Sequence, residues 1–282
     1  MANEIQKTSN ANKMTFSAFM TSNAITNRIQ SILGDEKTSK RFVSSIISAV
    51  SNNPQLKECD NASILSGALL GEALGLTPSP TLGKIYLVPF KDKERGMVAQ
   101  FILGYKGYLE LAMRSGQYKD INVMEIREGE YKGRNKENGK PMFEFIEDDD
   151  IREETKIIGY MASFTLLNGF TKTIYMTHKQ MEEHALKYSN GYRADKKNKT
   201  SYTFWSKDFV SMAFKTLLRQ LISRWGIMSI ELQQAYEGDM AVINEDGTKK
   251  YVDNDDENTI IEANEINELT EKTEEVKNLN EI

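Results

Sequence analysis

Gly159-Tyr-Met-Ala-Ser-Phe-Thr-Leu-Leu167, then Asn168-Gly169, then Phe170-Thr-Lys-Thr-Ile-Tyr-Met176 is the stretch that decides the fold class. Two runs with period-two patterning flank a dipeptide whose members both tolerate positive φ, which is the signal of a tight antiparallel hairpin. Upstream, Lys84-Ile-Tyr-Leu-Val-Pro-Phe90 and Met97–Leu103 read as a second hairpin around the charged loop Lys91–Gly96. Ile121–Glu128 and Met142–Ile146 are further strand candidates. Helical spacing brackets these strands. Phe16–Leu33 is amphipathic, and Lys37–Ser51 places Phe42, Val43, Ile46, Ile47 and Val50 on one face. Ala62–Leu74 follows, with Asp60 or Asn61 as its cap. Tyr105–Arg114 lies between strands, and Thr177–Tyr188, Ser206–Trp225 and Ile230–Tyr236 come after them, the first two separated by a basic, polar loop. Helices, then strands, then helices predict an α+β fold: a small antiparallel β-sheet with hairpins packed against several helices. No internal repeat is present.

The chain has 282 residues, enough to bury a core without a disulfide or a structural metal. Its one cysteine, Cys59, allows no intramolecular disulfide and suits a cytoplasmic protein. No apolar run approaches the ~20 residues of a membrane span, and the first thirty residues hold no continuous apolar stretch, so no secretory signal is expected.

The net charge of −5 averages two unlike segments. From Glu237 onward there are 15 acidic and 4 basic residues, a net of −11; residues 1–236 carry 26 acidic and 32 basic, a net of +6. A basic body with an acidic tail points towards a polyanionic partner. Three segments are expected: 1–36, an N-terminal arm and helix suited to oligomer contacts; 37–238, a core that would bind the polyanion; 239–282, a flexible acidic tail. Ile266, Leu269, Val276 and Leu279 offer that tail a weak apolar stripe for a partner-bound helix.

Several chemistries lack their signatures. There is no phosphate-cradling G-x-x-x-x-G-K-[ST] loop and no G-x-S-x-G elbow. His178 and His184, six residues apart, do not share a helical face for a metal. Glu147-Asp148-Asp149-Asp150 reads as a solvated loop, because consecutive acids point in different directions. No cofactor is expected; Mg²⁺ would only modulate binding to a polyanion.

The positive charge is concentrated between Lys172 and Arg224, where eleven Lys or Arg face four acids. Tyr188, Tyr192, Tyr202, Phe204, Trp205, Phe209, Phe214 and Trp225 are interleaved with it. Cations bind phosphates and release counterions, and exposed aromatics stack on single-strand bases. On a wheel of roughly 100° per residue, Phe209, Ala213, Phe214, Leu217, Leu218 and Leu221 gather on one face, and Ser211, Lys215, Arg219 and Ser223 form a polar stripe beside it. Arg193, Lys196, Lys197 and Lys199 sit on a Gly/Asn/Ser-rich connection that a nucleic-acid backbone would order. Gly104-Tyr-Lys-Gly-Tyr108 presents Lys106 where a strand meets a helix, its glycines permitting close backbone approach.

Asn53-Pro-Gln-Leu-Lys-Glu-Cys59, Ser63-Ile-Leu, Leu74-Gly-Leu76, Tyr86-Leu-Val-Pro-Phe90, Phe101-Ile-Leu-Gly-Tyr-Lys-Gly-Tyr108 and Arg114-Ser-Gly116 occur in that order. Trp205, Phe209, Met212, Lys215-Thr216 and Arg219 follow. Over about residues 38–238 this resembles the RecT family of phage recombinases. The resemblance implies an ATP-independent protein that binds single-stranded DNA, pairs it with its complement and assembles into rings or helical filaments on the product. It also implies a fold related to that of the lambda Bet-type annealing proteins, and action with a phage 5′→3′ exonuclease and a host single-strand binding protein. The setting implied is a bacterial cytoplasm, with a phage or prophage gene. The positions carried over are Lys106, Tyr108, Arg114, Trp205, Lys207, Lys215, Thr216 and Arg219. Lys215 and Arg219 are expected to hold the DNA backbone, with Lys106 and Arg114 on the facing wall of a groove. Lys196, Lys197 and Lys199 are added on charge alone. Other readings stay open: a sequence-specific DNA-binding protein, a passive single-strand coating protein, or a metal-dependent nuclease using Asp148–Asp150 or Glu153-Glu154.

Overall fold

A computed structural model describes residues 14–79 and 81–251. The N-terminal arm before Met14 and the apolar stripe between Ile266 and Leu279 lie outside the described residues.

The stretch Phe16–Leu33 forms two helices, α1 (Phe16–Met20) and α2 (Asn23–Leu33). The break falls where the hydroxyls of Thr21 and Ser22 turn back onto the carbonyls of Ser17 and Phe19, competing with helix continuation. Asp35 caps α3 (Glu36–Ser51) by accepting the Thr38 N–H at 2.7 Å. On α3, Phe42, Ile46 and Val50 repeat every four residues and are buried against Phe16, Met20 and Ile29. Asp60 caps α4 (Asn61–Ala73), accepting the Ser63 N–H. That helix is apolar almost all round because it lies between two cores. Ile64, Leu65 and Ala68 complete the N-terminal cluster, while Leu70 and Leu74 join the main one.

The first hairpin pairs β1 (Ile85–Asp92) with β2 (Gly96–Leu103), in a register running from Ile85 opposite Leu103 to Asp92 opposite Gly96. α5 (Tyr105–Arg114) follows directly. A second sheet has the order β3-β6-β7, built from β3 (Tyr118–Arg127), β6 (Ile157–Leu166) and β7 (Thr171–Thr177). Gly169, at φ +85°, makes the turn of its hairpin. Between β3 and β6 lie a ribbon, β4 (Tyr131–Arg134) with β5 (Pro141–Phe143), and α6 (Asp149–Glu154). The acidic run is thus a helix start rather than a loop: Asp148 caps α6 by accepting the Ile151 N–H.

After β7 come α7 (His178–Tyr188), α8 (Asn190–Asn198), α9 (Phe204–Lys207), α10 (Phe209–Trp225) and α11 (Ile230–Gly238). Two expectations are corrected here. The basic connection after Tyr188 contains α8, started by Ser189, whose hydroxyl accepts the Tyr192 N–H. The long helix begins at Phe209, because Asp208 leaves helical geometry (φ −147°, ψ 76°) to cap it. α10 then runs across the second sheet and beside α5, burying Ala213, Leu217, Leu218, Leu221 and Ile222 in the main core.

The folded body does not stop at residue 238. β8 (Ala241–Ile243) pairs antiparallel with β2, Phe101 opposite Ala241, and β9 (Lys249–Tyr251) pairs with β8. The first sheet therefore has the order β1-β2-β8-β9, and the expected boundary before Asp239 falls inside the fold. Three consecutive buried apolar residues, Ala241, Val242 and Ile243, supply the driving force that an acidic composition averaged over the tail conceals.

Candidate nucleic-acid interface

The matched basic positions divide into an interior set and a surface set. At the interior set, Asp239 follows α11 and its side chain is fully buried. Its Oδ1 accepts the Leu103 N–H at 2.9 Å and the Lys215 ammonium at 2.7 Å. Its Oδ2 accepts the Tyr108 hydroxyl at 3.1 Å and the Arg219 guanidinium at 2.9 Å. Four donors from β2, α5 and α10 thus converge on one carboxylate.

Lys215 is only 4% exposed, so its ammonium is not presented to a phosphate. Burial pushes its pKa down, and Asp239 pulls it partly back. Arg219 is more open. Its guanidinium lies 4.0 Å from the centre of the Tyr236 ring and also donates to the Tyr236 carbonyl. Burial opposes its charge, yet Tyr108 and Asp239 beside it push its pKa up. Tyr108 is fully buried, and burial together with Asp239 raises its hydroxyl well above the usual phenol range. Thr216 is buried and donates its hydroxyl to the Met212 carbonyl within α10. The polar stripe expected along Lys215 and Arg219 is therefore largely an interior seam, because Tyr236 at the end of α11 and Asp239 just after it close over it.

Arg114, at the end of α5, donates to the Leu74 carbonyl at 2.7 Å and stitches α5 to the C-terminal end of α4. The glycines of Gly104-Tyr-Lys-Gly-Tyr108 are required by packing. A Cβ on Gly104 would meet the carbonyl oxygen of Gly83, and one on Gly107 the carbonyl oxygen of Lys84.

The surface set surrounds α9. On one side, Trp205 packs against Phe209 with ring centres 5.1 Å apart and against Tyr192 at 6.1 Å. These rings line a cleft of about 500 Å³ with His178, Lys196 and Lys199 and the acids Glu182 and Asp195. His178 stacks near Phe209 and shares a hydrogen bond with the Tyr160 hydroxyl at 3.0 Å. On the other side, Phe204 meets Tyr86 at 5.2 Å. The Tyr86 hydroxyl and the stem of exposed Lys106 both lie against Gly83. Lys207, on α9 itself, is exposed. The structure thus gathers Lys106, Lys196, Lys199, Trp205 and Lys207 around one short helix, with exposed Lys197 adjoining on α8. Lys196 is shared with Glu182, 2.8 Å away. Lys197, Lys199 and Lys207 form no ion pair among the described residues.

Asp195 holds this region together and was not legible as a site residue. It is 3% exposed and accepts from the hydroxyls of Thr200, Thr203 and Ser206 and the N–H groups of Tyr202 and Thr203. Burial opposes its charge, but these bonds win and hold its pKa well below the usual carboxylate range. Lys199, in the left-handed region at φ +56°, ends α8 with its N–H on the Asp195 carbonyl.

An antiparallel α+β scaffold with exposed lysines and an aromatic-lined cleft around one helix is what the sequence leads one to expect of a DNA-handling protein, and comparison with known proteins agrees. The signature of the RecT family matches residues 40–273, and the chain belongs to that family. It is 38% identical over 240 residues to the protein YqaK of Bacillus subtilis (strain 168), spanning 85% of this chain and 75% of that one. It is 29% identical over 233 residues to Protein RecT of Escherichia coli (strain K12), spanning 79% of each. RecT-family membership places the chain among proteins of DNA recombination and single-strand annealing. Among the described residues no helix is long and apolar enough to cross a membrane.

Proposed function

We propose that this protein accelerates the pairing of complementary DNA strands without ATP, as an oligomer that grips phosphates and leaves base edges open. The observation that carries this reading is the group of exposed lysines around α9, four of which (Lys106, Lys197, Lys199 and Lys207) form no ion pair among the described residues.

Pairing itself supplies the driving force, since stacking and pairing release about 1.4 kcal/mol per base-pair step. The protein's task is then kinetic. It lowers the repulsion between two polyanions and holds one strand extended. Phosphate contacts suit that task because they position a strand without reading its sequence. Lys106, Lys197, Lys199 and Lys207 are proposed as these contacts, with Lys196 alternating between Glu182 and phosphate. Lys215, Tyr108 and Thr216 are assigned to the scaffold, as are Arg219, held by Asp239 and Tyr236, and Arg114, held by the Leu74 carbonyl. Association with a 5′→3′ exonuclease and with a single-strand binding protein belongs to the same reading, as does a bacterial cytoplasmic setting.

The test is an annealing time course with two complementary oligonucleotides and no nucleotide, with strand length checked afterwards. Faster pairing of intact strands, equal for unrelated sequence pairs, is the expected result. Slower pairing would mark a passive coating protein, and shortened strands with Mg²⁺ a nuclease.

A further inference from the structure

We propose that Tyr202 is a base-stacking residue, its ring taking one unpaired nucleobase of the bound strand per protomer. This rests on the reading above that the chain binds single-stranded DNA, and adds to it a contact with a base.

The first observation is exposure. Tyr202 is 76% exposed, more than any other large apolar side chain among the described residues. The aromatics flanking it are spent on packing: Tyr192 and Trp205 are buried, and Phe204 lies on Tyr86. Of Tyr192, Tyr202, Phe204 and Trp205, the rings that cluster at α9, Tyr202 alone is exposed.

The second observation is rigidity. The Tyr202 N–H is held by both oxygens of buried Asp195, at 3.1 and 3.0 Å. The next residue is held twice more, through the Thr203 N–H and hydroxyl, both at 2.8 Å. The ring therefore projects from a fixed backbone, and only its two side-chain torsions remain to be ordered on binding.

The third is position. Lys199, Thr200 and Ser201, the three residues before it, line the aromatic cleft, and Lys207 stands five residues after it. A strand whose phosphates follow these lysines passes the ring. Stacking uses the face of a base and leaves its pairing edge free, so one such contact per protomer is compatible with annealing. It would also divide the strand into regular intervals.

The experiment compares the full chain with Tyr202→Ala and Tyr202→Phe, measuring affinity for labelled oligo(dT) and for a strand of equal length built of abasic sites. Base–aromatic stacking contributes about fivefold or more in affinity per base. The wild type is expected to favour oligo(dT), Tyr202→Ala to lose about fivefold or more of that preference, and Tyr202→Phe to keep it. The dependence on salt should be equal for all three. An unchanged preference in Tyr202→Ala overturns the proposal. So does an altered oligomer mass with the preference intact, which would make Tyr202 a protomer contact. If the wild type binds neither strand, the DNA-binding reading itself fails, a result distinct from binding without base preference. Thermal melts check that the variants fold, as expected for a side chain this exposed.

Discussion

Lys215 and Asp239 form a buried ion pair, Nζ to Oδ1 at 2.7 Å, linking the middle of the long helix to the residue that opens the last pair of strands. Removing one member of such a pair leaves a charge uncompensated inside the protein and typically costs about 3–5 kcal/mol. Asp239→Ala, which strands both Lys215 and Arg219, is expected to fall in that range by urea unfolding. Lys215→Met should cost less, since Arg219, Tyr108 and the Leu103 N–H still satisfy the carboxylate. The folded fraction of Lys215→Met should bind DNA with unchanged salt dependence.

The surface lysines should behave oppositely. Log affinity for single strands falls with log salt by about 0.7 per phosphate contact. Lys197→Ala, Lys199→Ala and Lys207→Ala are each expected to flatten the slope by about that amount, with melting temperature unchanged. Titration of labelled oligonucleotide at several salt concentrations measures it. Slopes equal to the wild type in all three would move the phosphate path away from α9.

His184 predicts an acid-sensitive step. Burial, with Lys187 nearby, lowers its pKa from 6.5 to about 4. Between those values the unfolded chain binds a proton that the folded chain refuses, so stability falls as pH falls through this window. The full loss is at most roughly 3 kcal/mol, at about 1.4 kcal/mol per pH unit. His184→Gln should flatten the stability profile between pH 6.5 and 4. Asp92 acts lower down. Hydrogen bonds from the Arg95 N–H and Lys250 hold it at about 2, so its stabilisation persists above 3.8 and is lost as pH falls from there towards 2. Urea midpoints across the pH range separate the two.

Two truncations test where the body ends. A chain stopped after Gly238 lacks Asp239 and the β8 pairing with β2, and should lose cooperative unfolding. A chain stopped after Tyr251 keeps both and should melt like the full protein. Because residues 252–282 are strongly acidic, the second truncation also tests that segment as a shield: tighter DNA binding at low salt is the expected outcome. Unchanged binding with lost partner association would instead make it a docking segment.

The hairpins were legible because their signals are local: Asn168-Gly169 determines the turn, and the alternation beside it sets the faces. The helix caps at Asp35, Asp60 and Asp208 are local too, although Asp208 was read as lying inside a helix. Lys215 and Arg219 show where local reading stops. Spacing of four along a helix describes a solvated stripe and an interior seam equally well. The difference is made by Asp239, 24 residues after Lys215, and by a strand of three residues that only the finished sheet stabilises. α8 was hidden for a related reason. Its outward face is lysine-rich, and only Tyr192 and Asp195 turn inward, too few to register as a period.

The convergence of Leu103, Tyr108, Lys215 and Arg219 on Asp239 has a bearing on synthesis. The carboxylate comes late in the described chain, after all four donors. A nascent chain that has emerged only as far as α10 carries two cations on a face destined for the interior, still in need of water. The long helix should reach its final seat only once the ribosome has released the residues beyond α11, so the part of the molecule built around α10 should be among the last to set.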